Sequence, residues 1–321
     1  MKKEKKKAAI SIEMVILLVI LIGSALAIFY FIFRADLGGT SEKEVCHTSV
    51  VTRASVGLLR EVVPLNCKTD NLCLSRDGTC EKMTSPEIKK VKTEEEVYNF
   101  LAEQMADCWW MFGEGKMDYI GNAKATPTGF QSDLYCSICS QIAFDNSLYS
   151  LFAINPSAVS RANLGVPTTA SNSLISREKF YDYLAKTNMS GKQTTYLNYF
   201  LGISDSKSIS NVLKNNKTNF GYMDLEKWQI VTMAEFSRIT FLQDISTGIW
   251  KGILLAITLP TAPDIAVDLI ISVIPGKPFA GYLVGTIIQG ESGHAYITPT
   301  IIEANSEDYS KLRCGDIKTL A

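Results

Sequence analysis

From Met14 to Phe33 the chain runs twenty residues without a charge. At about 1.5 Å of rise per residue, an α-helix of that length covers roughly 30 Å, the thickness of a bilayer's hydrocarbon core. Leu, Ile, Val and Phe dominate the run, so its transfer into lipid is favourable. Lys2, Lys3, Lys5, Lys6 and Lys7 precede it, whereas Arg34 and Asp36 follow it and nearly cancel. Basic residues stay on the cytoplasmic side, so the asymmetry predicts a single pass through the plasma membrane, with the N-terminus cytoplasmic and everything after Arg34 outside. The expected organisation is a basic tip and transmembrane anchor over residues 1–36, a linker over 37–44 and an extracytoplasmic domain over 45–321. Gly38 and Gly39 in the linker disfavour a helix that continues straight out of the membrane.

Composition narrows the function. A net charge of -1 with both signs interspersed argues against a nucleic-acid binder, which needs a basic surface. His47 and His294 are the only histidines, which leaves little for imidazole catalysis or a His-rich metal site, and no metal or cofactor is expected. The chain has eight cysteines: Cys46, Cys67, Cys73, Cys80, Cys108, Cys136, Cys139 and Cys314. That number is usual for an exported domain and unusual in a reducing cytosol. An even count lets all of them pair.

Local patterns suggest where. Glu44–Val63 has apolar residues at irregular helical spacing and stops at Pro64. In "LCLSRDGTCEKM", Asp77-Gly78 is a hairpin signal, with Gly at a left-handed position, and it would set Cys73 opposite Cys80. "TEEEVYNFLAEQMADCWWMFGEG" is the clearest helix. Thr93 and Glu96 form a capping box, three glutamates suit the positive end, and Val97, Phe100, Leu101, Cys108, Trp109 and Phe112 share one broad face, with Gly113 as the stop. Trp109 is expected in the core.

Cys136-Ser137-Ile138-Cys139 is the sharpest functional signal. A C-x-x-C serves thioredoxin-like redox chemistry or half a zinc site, yet no second C-x-x-C completes four zinc ligands. The surrounding "LYCSICSQIAF" is β-branched and aromatic and reads as a strand, on which residues three apart point to opposite faces. Each cysteine would then bond a distant partner: Cys108 suits one of them, and Cys314 takes the other or closes on Cys46. The alternative is a membrane-tethered thiol–disulfide oxidoreductase using Cys136 and Cys139.

Residues 156–176 read as a loop. "SREKFYDYLAKT" and "GKQTTYLNYFLG" read as two short helices with half-buried tyrosines, and Lys227–Phe236 as a strand. Asn188-Met189-Ser190 and Asn216-Lys217-Thr218 are N-glycosylation acceptor triplets. Residues 249–290 are apolar and punctuated by Pro260, Pro263, Pro275 and Pro278. Asp264, Asp268 and Ser272 recur every four residues, one narrow polar stripe on a helix. Two central aspartates cost roughly 5–7 kcal/mol in a lone membrane span, so the region is expected to be a buried helical hairpin. A membrane-perturbing hairpin and a shielded assembly surface are the alternatives. Gly281 and Gly285 would allow close helix contact. The C-terminal stretch from His294 reads as a strand, a loop and a short helix.

The stretch "KKKAAISIE" resembles an archaeal class III signal peptide of type IV pilin-like proteins. The resemblance implies cleavage by a prepilin peptidase between Ala8 and Ala9, which places Ser11 third and Glu13 fifth in the mature chain. It also implies that Glu13 pairs with a neighbouring subunit's N-terminal amine, a sensible role for a carboxylate in an apolar bundle. The residues alone also allow an uncut signal anchor whose Glu13 snorkels to the inner interface, or signal-peptidase cleavage after Ala25-Leu26-Ala27. Together "ISIEM", "VPLNC" and "DCWWMFGEGK" resemble single-pass membrane proteins of small-genome archaea, which implies a place and no reaction. The expectation is an α+β ectodomain on a transmembrane helix. Its function would be structural or assembly work in the cell envelope or a pilus-like structure, with the bilayer and other envelope proteins as partners.

Overall fold

The computed structural model describes residues 20–24, 41–120, 134–152, 173–202, 220–236, 267–273, 281–289, 295–304 and 314. The chain divides into two compact units, Met1–Glu44 and Val45–Ala321. In the first, residues 20–24 are helical and exposed. The rest of Met14–Phe33 lies outside the described residues, as do Ala8, Ala9, Ser11 and Glu13. Among the described residues no helix is long and apolar enough to cross a membrane.

Helix α1 (Glu42–Ser55) begins inside the stretch read as linker, with Glu42 and Glu44 in its first turn. A 3-10 helix, Gly57–Val62, follows and ends before Pro64. Helix α2 (Glu94–Met111) starts as its chemistry requires: the Thr93 hydroxyl accepts from the Glu96 N–H at 3.1 Å, and the Glu96 carboxylate accepts from the Lys92 N–H at 2.6 Å. Phe112 caps its end, and Gly113, at φ +82°, turns the chain into a left-handed conformation that costs glycine little.

Among the described residues, seven strands make one mixed sheet in the order β2-β1-β3-β6-β9-β8-β7. Strand β1 (Asp70–Ser75) runs parallel to both β2 (Glu87–Lys90) and β3 (Leu134–Phe144). The remaining neighbours, β6 (Gln229–Phe236), β9 (Ala295–Glu303), β8 (Gly281–Gln289) and β7 (Val267–Val273), pair antiparallel. Strands β4 (Leu174–Ser176) and β5 (Tyr222–Asp224) form a separate pair. Helices α3 (Arg177–Lys186) and α4 (Tyr196–Leu201) are each N-capped by a hydroxyl, Ser176 and Thr195.

The sheet carries buried side chains on both faces. On one face, Leu101, Met105, Cys108 and Trp109 of α2 join Ile142, Val231, Met233 and Tyr296 in the main core. Trp109 is 1% exposed and meets the Tyr296 ring edge-on at 6.1 Å. Burying side chains of this kind contributes about 1.5–3 kcal/mol each. A second cluster, Leu134, Ile230, Ala234, Phe236, Ala295, Ile297 and Ile302, forms separately, with Cys136 and Cys314 packed against it.

Three expectations are corrected. Leu174–Ser176, the end of the stretch read as a loop, is strand β4. Residues 249–290 do not form a helical hairpin where they are described: Val267–Val273 and Gly281–Gln289 are antiparallel strands, and Gly285 pairs with Ile270 beside a register irregularity. A polar spacing of four fits one helical turn and also twice the strand repeat, so the stripe could not separate the two. The β-branched content of "VDLIISV" and the Pro275-Gly276 break favour strands. The Asp77-Gly78 turn also does not close a hairpin, because the next strand, β2, lies parallel to β1. The loop and short helix read after the C-terminal strand lie outside the described residues apart from Ala304 and Cys314.

The turn itself is dense in hydrogen bonds. Asp77 Oδ1 accepts from the Thr79 N–H (2.9 Å), the Ser75 hydroxyl (2.7 Å) and the Thr79 hydroxyl (2.8 Å), while Gly78 takes φ +93°. These donors, the Thr79 N–H foremost, hold the Asp77 carboxyl at about 2. A depressed folded value stabilises the turn above the unfolded value, and that contribution disappears as pH falls through the folded value. The loss therefore lies between the ordinary aspartate value of about 3.9 and the folded value. Followed by NMR, the Asp77 carboxyl carbon should titrate with a midpoint of about 2, moved upward by Ser75→Ala. A midpoint in the ordinary range would contradict this turn.

Candidate functional site

All eight cysteines are bridged: Cys46–Cys67, Cys73–Cys80, Cys108–Cys139 and Cys136–Cys314. The C-x-x-C lies on β3. Its residues alternate: Cys139 belongs to the core with α2, and Cys136 packs against the second cluster with Cys314. The pairing of β3 with β6 shifts between Ile138 and Ser140, so Cys139 sits at a bulge. Two sulfurs directed to opposite faces, each held by a remote partner, cannot cycle as a dithiol. The structure does not bring Cys136 and Cys139 together.

The remaining bridges act on loops. Cys46 of α1 takes Cys67, just ahead of β1. Cys73–Cys80 folds the loop after β1 back so that Met83 packs with Cys73 and Ala143. Lys82 in that loop donates to the Tyr149 hydroxyl and to the Leu225 carbonyl (3.3 Å) and lies 4.9 Å over the Tyr149 ring. Burial lowers its pKa, against the pull of Glu226, Asp145 and Asp224. A lysine with weakened basicity suggests a nucleophile, but this amine is committed to contacts that pin the loop to the β5–β6 turn.

A seam of tyrosines runs between α2, α3 and α4. Asn99 Oδ1 accepts from the Tyr183 and Tyr196 hydroxyls (3.1 and 3.4 Å), while its amide donates to Glu103 at 3.0 Å. Tyr98 donates to Glu94, and Tyr199 donates to Glu114 at 2.6 Å. Burial first, and the carboxylate acceptors second, push the Tyr98 and Tyr199 phenols far above their ordinary range. They act as neutral hydrogen-bond donors and not as bases. The ring of His47 stacks on Trp110 at 4.3 Å, and its Nδ1 lies 2.8 Å from the Trp110 carbonyl oxygen. Among the described residues no group of three or more His, Cys, Asp or Glu side chains is placed to hold a metal. Asn188 is exposed in the turn between α3 and α4, and Asn216 and His294 lie outside the described residues.

Two buried arginines carry more structure than their residue type signals. Arg53 Nε donates to the Tyr119 carbonyl (2.8 Å) and Nη1 to the Val63 carbonyl (2.7 Å). Arg177 Nη1 donates to the Ile301 carbonyl at 2.8 Å. They are 6% and 7% exposed, whereas arginine is ordinarily a surface residue. No spacing in the sequence marks them.

The Cys108–Cys139 bridge closes a loop of 31 residues, a constraint worth about 4 kcal/mol in the chain-entropy account. Cys108→Ser and Cys139→Ser should each lower the stability of the Val45–Ala321 unit by about 2–5 kcal/mol in urea unfolding, and the double variant should be no worse than either single one. Additive losses would show that the two sulfurs serve separate contacts. No family model, no curated protein and no solved structure matches the chain.

Proposed function

We propose that the chain is a membrane-anchored, surface-exposed structural or assembly protein of the cell envelope, with a pilus-like mode of assembly. The observation that carries this reading is the complete pairing of its cysteines. Four bridges persist in an oxidising compartment and are reduced in the cytosol. The start of the sequence supplies a means of reaching that compartment: a lysine cluster, then Met14–Phe33 as the membrane span.

In this reading the lysine tip stays in the cytoplasm, and the second unit stands outside the plasma membrane. Its partners are the lipid bilayer and other envelope proteins. Prepilin-type processing between Ala8 and Ala9 frees an amine, and Glu13 meets the amine of a neighbouring chain inside the apolar bundle. A carboxylate held in lipid needs such an opposite charge. The oxidoreductase alternative draws no support from β3, where the two cysteines belong to different bridges. The role is binding and assembly, without a reaction of its own.

Protease added to intact cells should digest the chain beyond Arg34 and leave the N-terminal anchor in the membrane; full protection of the ectodomain would contradict the placement. Sequencing of the mature protein should begin at Ala9, and Glu13→Ala should impair assembly more than membrane insertion. An intact Met1 would remove the pilin-like processing and leave a signal anchor.

A further inference from the structure

We propose that Asn188 carries an N-linked glycan, which rests on the extracytoplasmic placement proposed above. Asn188-Met189-Ser190 supplies the acceptor amide and, two residues on, the hydroxyl that the transferase reads. The same spacing at Asn155-Pro156-Ser157 is excluded by its proline. The structure adds what a triplet alone does not. Asn188 and Ser190 are both exposed, whereas Met189 between them packs against the core. The middle residue anchors the turn and the two recognition groups stay accessible.

The turn is a framed loop between α3 and α4. Asn188 is bridged antiparallel to Thr195. The Met189 N–H donates to the Thr194 carbonyl (2.9 Å), the Tyr196 N–H to the Thr187 carbonyl (3.3 Å) and the Lys192 N–H to the Met189 carbonyl (3.0 Å). All of these bonds use the backbone, so the Asn188 side-chain amide remains available to an acceptor site. At the tip, a Cβ built on Gly191 would meet nothing within 4 Å. Ser190, Gly191, Lys192 and Gln193 are exposed together. A glycan leaving Asn188 enters solvent without displacing a packed side chain.

The transfer balances without redox change. The Asn188 Nδ2 attacks the first sugar carbon of a lipid-linked oligosaccharide pyrophosphate, supplied with its transferase by the cell. One N–C bond forms, the C–O bond to pyrophosphate breaks, the amide gives up one proton, and the lipid pyrophosphate leaves with the bonding electrons. A glycan here also keeps the α3–α4 turn out of any protein interface, so contacts in an assembly fall on other faces.

The test uses full-length chain purified from its own membranes, digested with trypsin and mapped by mass spectrometry without reduction. The peptide Thr187–Lys192 should carry hexose or N-acetylhexosamine masses. These should vanish in Asn188→Gln and in Ser190→Ala and persist in Ser190→Thr. An unmodified peptide in a chain whose disulfides are intact overturns the glycan and leaves the external placement standing. An unmodified peptide in a chain with free thiols overturns both.

Discussion

Successive side chains on a strand point to opposite faces of the sheet, and β3 uses that alternation to hold the fold together from both sides. Cys139 reaches into the core and locks α2 to the sheet, while Cys136 fixes Cys314 against the second cluster. Between them, Ser137 is buried within reach of the Tyr119 hydroxyl at 3.3 Å. The two bridges differ in span, 31 and 178 residues. The first restrains a neighbouring helix; the second ties Cys314 to β3. A single strand thereby holds both α2 and Cys314.

Buried polar groups complete what the bridges begin. A desolvated guanidinium or phenol must meet acceptors, because an unmet group costs about 1–3 kcal/mol or more. Arg53 meets carbonyls at Val63 and Tyr119, and Arg177 meets those of Ile301 and Tyr222. Tyr296 donates to the Met117 carbonyl at 3.0 Å and faces the Glu235 carboxylate at 3.4 Å. The carbonyls of Val63, Met117 and Tyr119 lie in irregular backbone, whereas those of Tyr222 and Ile301 belong to β5 and β9. The same geometry gives the seam tyrosines and Lys82 structural contacts, since each donates to a neighbouring group.

Legibility in the sequence followed the range of the determining interaction. Helix α2 was readable because capping and amphipathicity act within four residues: Thr93, Glu96 and Gly113 mark its ends in the chain and in the structure. The strand character of "LYCSICSQIAF" was readable from β-branching, and with it the separation of Cys136 from Cys139. Register and partner were not. Parallel pairing of β1 with β2 depends on where residues 76–86 run, and the Asp77-Gly78 turn is compatible with either direction. The 249–290 region misled because its polar spacing of four is shared by helix and strand. The buried arginines answer carbonyls distant in sequence: Arg53 that of Tyr119, and Arg177 those of Tyr222 and Ile301, which only the fold brings near.

The central claim is that the cysteines are spent on structure across two faces of one sheet. Non-reducing peptide mapping of the native chain, with a count of free thiols, tests it most directly. The account predicts no free thiol and the pairs Cys46–Cys67, Cys73–Cys80, Cys108–Cys139 and Cys136–Cys314. A Cys136–Cys139 bridge that mild reductant opens while the other bridges stay intact would contradict it and make the C-x-x-C a redox centre.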